Sequence, residues 1–549
     1  MDFNKIFHKV PVQVQNRSAF NCGHKNLFTA SVGTLVPCLV DPLIPNTTIN
    51  LGLACQVQLP PLATDFYGSI RAKMEAFFVP YRIIWNGWRD FITLPASGRT
   101  DEQLLVNPSS PTSLPAIELN FSDDSVQMDL FSTPGGLADM LGFKSKPELT
   151  DDNPTGLFTL NNILPFLAYH KIYDDWYRDS RIQRPIFYNS IGALSTNSWT
   201  TAPYFNGVMG GEAGPSFYSA ESHEGFSIFQ LHQRNWQRDY FTNATPLPQS
   251  GTPASVQFQV QNGTGELTIA ALRAANSLQQ WYERNNIAGE RYSDQIKARF
   301  GVYPSDSITD RAIYLGQKTF DIYTRSVYET ISMPGVSDTT VNPFNGNMAA
   351  KSSSVQGFGE DTLVPTFTAT EHGFIMVIFS LVPEPLYSSG TRRYLGYRDV
   401  VDFPDPLLQG VGDQPIYSWE VDNSQGPHYN DWYDPTIFGY TQRYSEAKYM
   451  NDEVHGLLRD GESLQGFALQ RFIDGSENAA EISTEFITIP PDYLDQVSNV
   501  NAQVSNYGCW AECYFRYNKI QPLAAYSIPT LGDPRDTHTE IIDNGGKRL

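Results

Sequence analysis

Two stretches in the first hundred residues alternate apolar and polar side chains with a period of two, and each stops at a proline. In 46–61, NTTINLGLACQVQLPP, the alternate positions Ile49, Leu51, Leu53, Cys55, Val57 and Leu59 are apolar. Alternation of this kind puts one face in a core and the other outward, which predicts a β-strand and excludes an amphipathic helix. Pro60-Pro61 ends it, because proline has no amide hydrogen to give a ladder. In 69–79, SIRAKMEAFFV, the residues Ile70, Ala72, Met74, Ala76 and Phe78 share one face, Arg71, Lys73 and Glu75 share the other, and Pro80 closes the run. A third segment, 372–383, holds FIMVIFSLV, a continuous apolar run of strand length, which predicts burial on both faces. Near the C-terminal end, GCWAECYFRYNKI sets Cys513, Phe515 and Tyr517 against Glu512, Arg516 and Asn518. Shorter strands are predicted within 26–40 and 482–490.

Helical periodicity is rare. Residues 163–178 place Ile163, Phe166, Leu167, His170, Tyr173, Trp176 and Tyr177 at spacings of three and four, one face of an amphipathic helix with Pro165 tolerated in its first turn. Residues 268–284 repeat the pattern with Ile269, Leu272, Ala275, Leu278 and Trp281. A short helix, DQIKARF, follows with Ser293 as its expected cap and Gly301 as its stop.

Between these elements lie long stretches without lasting periodicity, at about 96–160, 185–236 and 400–436. They are rich in Pro, Gly, Ser, Asn and Asp, yet Trp199, Tyr204, Phe205, Phe217, Tyr218, Phe226 and Phe229 crowd the second. Disordered chains lack such aromatics, so these insertions are expected to order by packing, on a barrel or on a neighbouring subunit. Trp199, Tyr204 and Phe205 are the inter-subunit candidates. The expected architecture is mainly β: one domain over 1–549, its strands mainly within 26–95 and 368–530, and residues 1–25 an N-terminal arm.

Composition narrows the partners. The 549 residues carry a formal charge of −21, with 18% charged and 13% aromatic side chains. Few charges and many aromatics suit a chain that buries surface against partners. A protein that neutralised a nucleic acid by itself would be basic, so this one is no bulk condenser. The exception is the arm, where Lys5, Lys9, Arg17 and Lys25 face a single acid, Asp2, and Lys5, Lys9 and Arg17 are the candidates to meet nucleic acid. Five cysteines are too few and too odd for a disulfide scaffold. MDFNKIFHKV lacks the apolar core of a secretory leader. No apolar run reaches the ~20 residues of a membrane span.

The search for chemistry yields no catalytic motif. GVMGGEAG at 207–214 opens no helix and makes a poor phosphate cradle. Cys22, His24, Cys509 and Cys513 number four, as zinc requires, but lack its usual spacing and read better as structural residues with buried thiols. Asp174, Asp175 and Asp179 are expected on a solvated helix face rather than around calcium. Glu371-His372 reads as a strand-entry turn. The expectation is a protein with no enzymatic activity, metal or cofactor.

Several blocks resemble the major capsid proteins of the Microviridae, the gokushovirus-like branch above all. NRSAFNCGHKNLFTASVGTLVPCLVDPLIPNTTINL is similar to the family's opening arm and first strands. AFFVPYRIIWNGWRDF resembles its FFVP-R-W--W--F segment, AYHKIYDDWYRD its IYN-W-RD helix, and RDYFTNATPLPQ its DYFTSALPWPQ block. RYSDQIKARFGV, TEHGFIMVI, FGYTQRYSEAKY and the ending at Pro522–Pro529 follow in family order. The resemblance implies an eight-stranded antiparallel viral jelly roll that forms pentamers and a small T=1 icosahedral shell around a circular single-stranded DNA genome. It also implies a small basic DNA-packaging protein and other minor virion proteins as partners, with assembly in the cytoplasm of a bacterial host and no membrane. The long insertion that many relatives carry after the DYFT block is short here and the excess lies at 185–236 instead, so a threefold protrusion is either absent or built from another loop. Two competing roles are an accessory receptor-binding spike and a secreted carbohydrate-active jelly roll.

Overall fold

The computed structural model describes residues 17–59, 66–85, 88–93, 114–115, 117–120, 131, 133–143, 157–183, 186, 228–248, 269–288, 292–302, 311–325, 351–353, 362–423, 436–473, 481–497 and 508–524. In chain order the strands are β1 (Ser18–Asn21), β2 (His24–Ala30), β3 (Val36–Leu43), β4 (Thr48–Gln58), β5 (Ile70–Pro80), β6 (Ile117–Asn120) and β7 (Leu157–Leu160). They continue as β8 (Ile313–Arg325), β9 (Lys351–Ser353), β10 (Thr362–Thr368), β11 (Gly373–Pro383), β12 (Gln414–Tyr417), β13 (Ile437–Thr441) and β14 (Cys509–Gln521).

Two antiparallel sheets form a jelly-roll-like sandwich. The first runs β1–β14–β4–β10, with β2 also paired to β14; the second runs β3–β11–β5–β8–β9. Each sheet holds five strands, where the resemblance implied eight in all. β1 and β2 lie against successive stretches of β14, on either side of Cys22-Gly23, and β9 adds only three residues beside β8. β8 and all but the last residue of β10 lie before residue 368, where the period-two pattern gave no strand.

The alternation sorts side chains as the pattern predicted. Ile49, Leu51 and Leu53 of β4, Phe515 and Tyr517 of β14, Met74 and Phe78 of β5, and Ile375 and Phe379 of β11 fill the space between the sheets. β11 is buried at all eleven positions because the second sheet is covered on its far side too. There Phe374, Met376 and Ile378 meet Phe166, Tyr169 and Phe229 from the insertions. Each such apolar side chain contributes roughly 1.5–3 kcal/mol by leaving water. A third apolar cluster, built around Phe241, Tyr387, Ile416, Phe438 and Phe486, joins residues 240–244 to the stretch from 387 to 487.

The helices depart from the sequence reading in three places. The 163–178 pattern is an α-helix over Leu164–Ile172 that widens into a π-turn over Tyr173–Tyr177. The helix Tyr292–Phe300 begins one residue before Ser293, so Ser293 lies inside it; Gly301, at φ +68°, ends it. The strand predicted within 482–490 is instead a single helical turn, Thr484–Ile487. The Ser483 hydroxyl accepts from the Phe486 amide at 3.2 Å, a cap that favours helix over ladder. No helix among the described residues is long and apolar enough to cross a membrane.

Candidate assembly surfaces

The insertions dock on the second sheet through a buried polar node. Alternation along β5 turns Met74 and Ala76 into the sandwich core and Glu75 away from it, where the insertions cover it. Its carboxylate accepts from Arg234 at 2.6 Å and from the Tyr177 hydroxyl at 2.6 Å. Burial opposes ionisation of Glu75, but the Arg234 charge and these hydrogen bonds outweigh it and hold the carboxyl below its ordinary value. The π-turn gives Tyr177 its inward aim, since the extra residue per turn rotates the side chains that follow.

Beside it, His170 Nε2 lies 2.8 Å from the Ile228 carbonyl, and His170 Nδ1 lies 2.7 Å from His232 Nε2. A carbonyl only accepts, so in the neutral pair Nε2 of His170 carries its proton and Nδ1 accepts from His232. Tyr173 stacks on the His232 ring at 3.9 Å. Burial pushes His170 down to about 4 and His232 well below its ordinary value. The pair joins the helix to residues 228–232.

The three aspartates of this region are not a solvated face. All are buried: Asp174 pairs with Arg178 at 2.8 Å, Asp175 with Lys171 at 3.1 Å and Asp179 with Arg181 at 2.7 Å. The Ala312 amide donates to Asp175 at 2.7 Å and the Ile186 amide to Asp174 at 3.1 Å, while Asp179 accepts from the Arg181 amide at 3.0 Å. Glu371 pairs with Arg82 at 2.8 Å, and the His372 ring lies against Trp88, so this pair shapes the entry to β11. Cys38, Cys55, Cys509 and Cys513 are buried in the sandwich, with the sulfurs of Cys55 and Cys513 3.1 Å apart on facing residues of β4 and β14. Burial raises the Cys513 thiol well above its ordinary value. Among the described residues no group of three or more His, Cys, Asp or Glu is placed to hold a metal ion.

Apolar surface is instead concentrated on the insertions. Val400, Leu407 and Val411 are 86%, 89% and 66% exposed, and Tyr394, Leu395 and Phe403 lie beside them in sequence, more than half exposed. Met450 is 80% exposed on the facing segment. Between the two segments lies a cleft of about 740 Å³, lined by Tyr394, Leu395, Tyr449 and Met450 together with Arg392, Arg393, Glu446 and Glu453. The helices Ile269–Ala288 and Tyr292–Phe300 pack on each other, with the Arg299 guanidinium 4.7 Å from the centre of the Trp281 ring. Yet Leu278, Trp281, Phe300 and Val302 stay exposed. Leu278 and Trp281, from the stripe read in the sequence, are therefore open surface in the single subunit.

The residues singled out by sequence fall unevenly. Lys5, Lys9, Trp199, Tyr204 and Phe205 lie outside the described residues. Arg17 is exposed and donates to the Thr48 hydroxyl and, at 3.1 Å, to the Ile520 carbonyl, which ties the arm to the end of the first sheet. Phe229 packs in the core over the second sheet. The exposed run at 394–411 escaped sequence reading because it has no period; its only signal was apolar residues within a Pro- and Asp-rich stretch.

Comparison with known proteins adds sequence kinship. The family described as capsid protein (F protein) matches residues 8–128 and 259–531. Capsid protein VP1 of Chlamydia phage 1 is 23% identical over 632 aligned positions, covering 96% of this chain and 97% of that one. Capsid protein VP1 of Bdellovibrio phage phiMH2K is 23% identical, covering 95% and 97%. Capsid protein VP1 of Spiroplasma virus 4 is 22% identical, covering 94% and 95%.

Proposed function

Because this chain belongs to the capsid protein (F protein) family, we propose that it builds the wall of a small T=1 icosahedral phage particle around a single-stranded DNA genome. It is a major capsid protein of the microvirus kind and a component of the virion. The observation that carries this is similarity to three phage capsid proteins along nearly the whole length of each. The subunit's own form supports it: a two-sheet tile with one sheet covered by residues from 131–186 and 228–229, and apolar segments at 394–411 and 449–450 that one copy leaves in water. Exposed apolar side chains grouped along a segment mark interaction sites, and closed symmetry repeats each contact around its axis.

The charge of −21 supports a division of labour. The wall is acidic, so most of the genome's phosphate charge is met by a separate small basic packaging protein. The arm carrying Lys5, Lys9 and Arg17 points inward in this reading, and Trp199, Tyr204 and Phe205 lie in a joint between subunits. The whole chain acts as one structural unit with no catalytic step. Purified particles analysed by denaturing gel and electron microscopy test the proposal. This chain should be the most abundant protein of a closed shell; a scarce copy on the outside of a shell built by another protein would make it a spike.

A further inference from the structure

The two sheets are treated differently on their outer faces. The second is covered by the insertions, whereas the first keeps its outer face open. On β14 the outward residues are Trp510, Glu512, Tyr514, Arg516, Asn518 and Ile520, while their neighbours in sequence are buried. Trp510 and Tyr514 are 43% and 41% exposed. Across the ladder on β4, Tyr514 faces Ala54 and Arg516 faces Gly52, so no large side chain walls them on that side. Gln56 and Gln58 continue the β4 row as exposed amides.

The charge on this face is opposite to that of the chain. Glu512 is the only carboxylate on the strands of the first sheet, and Lys25 pairs with it at 2.7 Å. Arg516 has no ion-pair partner among the described residues, and Arg17 lies at the end of the same sheet. The face thus offers two uncompensated cations, half-exposed rings and a row of amides, on a protein with 59 acidic residues.

We propose that the open face of the first sheet binds single-stranded nucleic acid, with bases stacked on Trp510 and Tyr514 and phosphates met by Arg516 and Arg17. This rests on the capsid reading and deepens it by naming the surface turned toward the genome. Rings interleaved with cations are what a flexible polyanion with exposed bases requires, and stacking is indifferent to base identity. Other occupants fit less well. A second copy of this face would bring like charges together, and a basic packaging protein would find no free carboxylate.

Two measurements test it. Ultraviolet irradiation of intact particles followed by mass spectrometry should find nucleotide adducts on the β14 peptide, at Trp510 or Tyr514. Titration of the purified subunit with a fluorescein-labelled oligothymidylate of about 20 nucleotides should show binding that Trp510→Ala and Tyr514→Ala each weaken about tenfold. Arg516→Gln should lower the slope of log affinity against log salt by about 0.7, as expected for one lost phosphate contact to a single strand. Thermal melts of the variants confirm folding, and the adduct experiment needs no variant. Adducts confined to other peptides, or oligonucleotide affinity unchanged in all three folded variants, would overturn the proposal. Should the chain form no particles, the capsid reading falls, and the titration still decides this one.

Discussion

At the residue scale the docking node couples pH to stability. His170, at about 4, and His232 are both held below the ordinary histidine value by burial. The unfolded chain therefore takes up these protons first. The stability that the pair contributes is complete above about pH 6.5 and is lost as pH falls toward His170's folded value. The depression of His170 alone corresponds to about 3 kcal/mol across that window. Thermal melts from pH 7.5 to 4.5 should show this loss, and His170→Gln should melt lower at pH 7.5 with a flatter profile; parallel profiles would contradict the assignment. Glu75 and Arg234 make the second test. Removing one partner strands a buried charge, so Arg234→Ala should cost about 3 kcal/mol in denaturant unfolding. Cost below about 1 kcal/mol would mean that water reaches Glu75.

At the element scale, β11 holds the molecule together because both of its faces are in cores. Phe379→Ala on the inner face should cost about 3–5 kcal/mol. At Gly373 an added Cβ would stand 2.5 Å from the Val79 carbonyl and 2.7 Å from the Phe78 ring, so Gly373→Ala should destabilise despite its small size. The helical pair at 269–302 behaves in the opposite way. Trp281→Ala should leave the subunit's melting within about 0.5 kcal/mol, as exposed positions do, while reducing particle yield. Equal damage to folding and yield would place Trp281 in the subunit's own structure.

These elements also show what could be read in advance. Period-two alternation located β4, β5 and β14, because one face of each meets a continuous core. The unbroken apolar run of β11 announced two covered faces for the same reason. β8 and β10 were missed: β8 mixes Gly316, Gln317, Lys318 and Thr319 into its length, and β10 carries Pro365 on an edge. The strand expected at 482–490 failed because a serine cap outweighed β-branched side chains. The buried aspartates were misread because some of what covers them comes from beyond the helix pattern: the Ile186 amide reaches Asp174 and the Ala312 amide reaches Asp175. The open basic face was invisible for a different reason. It is assembled from β2 and β4 together with β14, which lies hundreds of positions later, within a chain whose total charge has the other sign.

At the scale of the whole molecule, the account is a tile with a division of faces. One sheet is covered by residues from 131–186 and 228–229, the other presents rings and cations, and apolar segments at 394–411 and 449–450 wait for neighbours. Substituting Leu407 and Met450 together by Ser should leave the subunit folded, because both are at least 80% exposed, yet block assembly. Light scattering and melting on the same sample separate the two effects. The claim at the centre is that this chain forms the shell. A reconstruction of purified particles by electron cryomicroscopy tests it most directly. The account predicts a closed icosahedral wall made of this chain, with residues 394–411 buried between subunits. A wall traced to a different protein, or a chain that stays monomeric with its packaging partner and genome present, would contradict it.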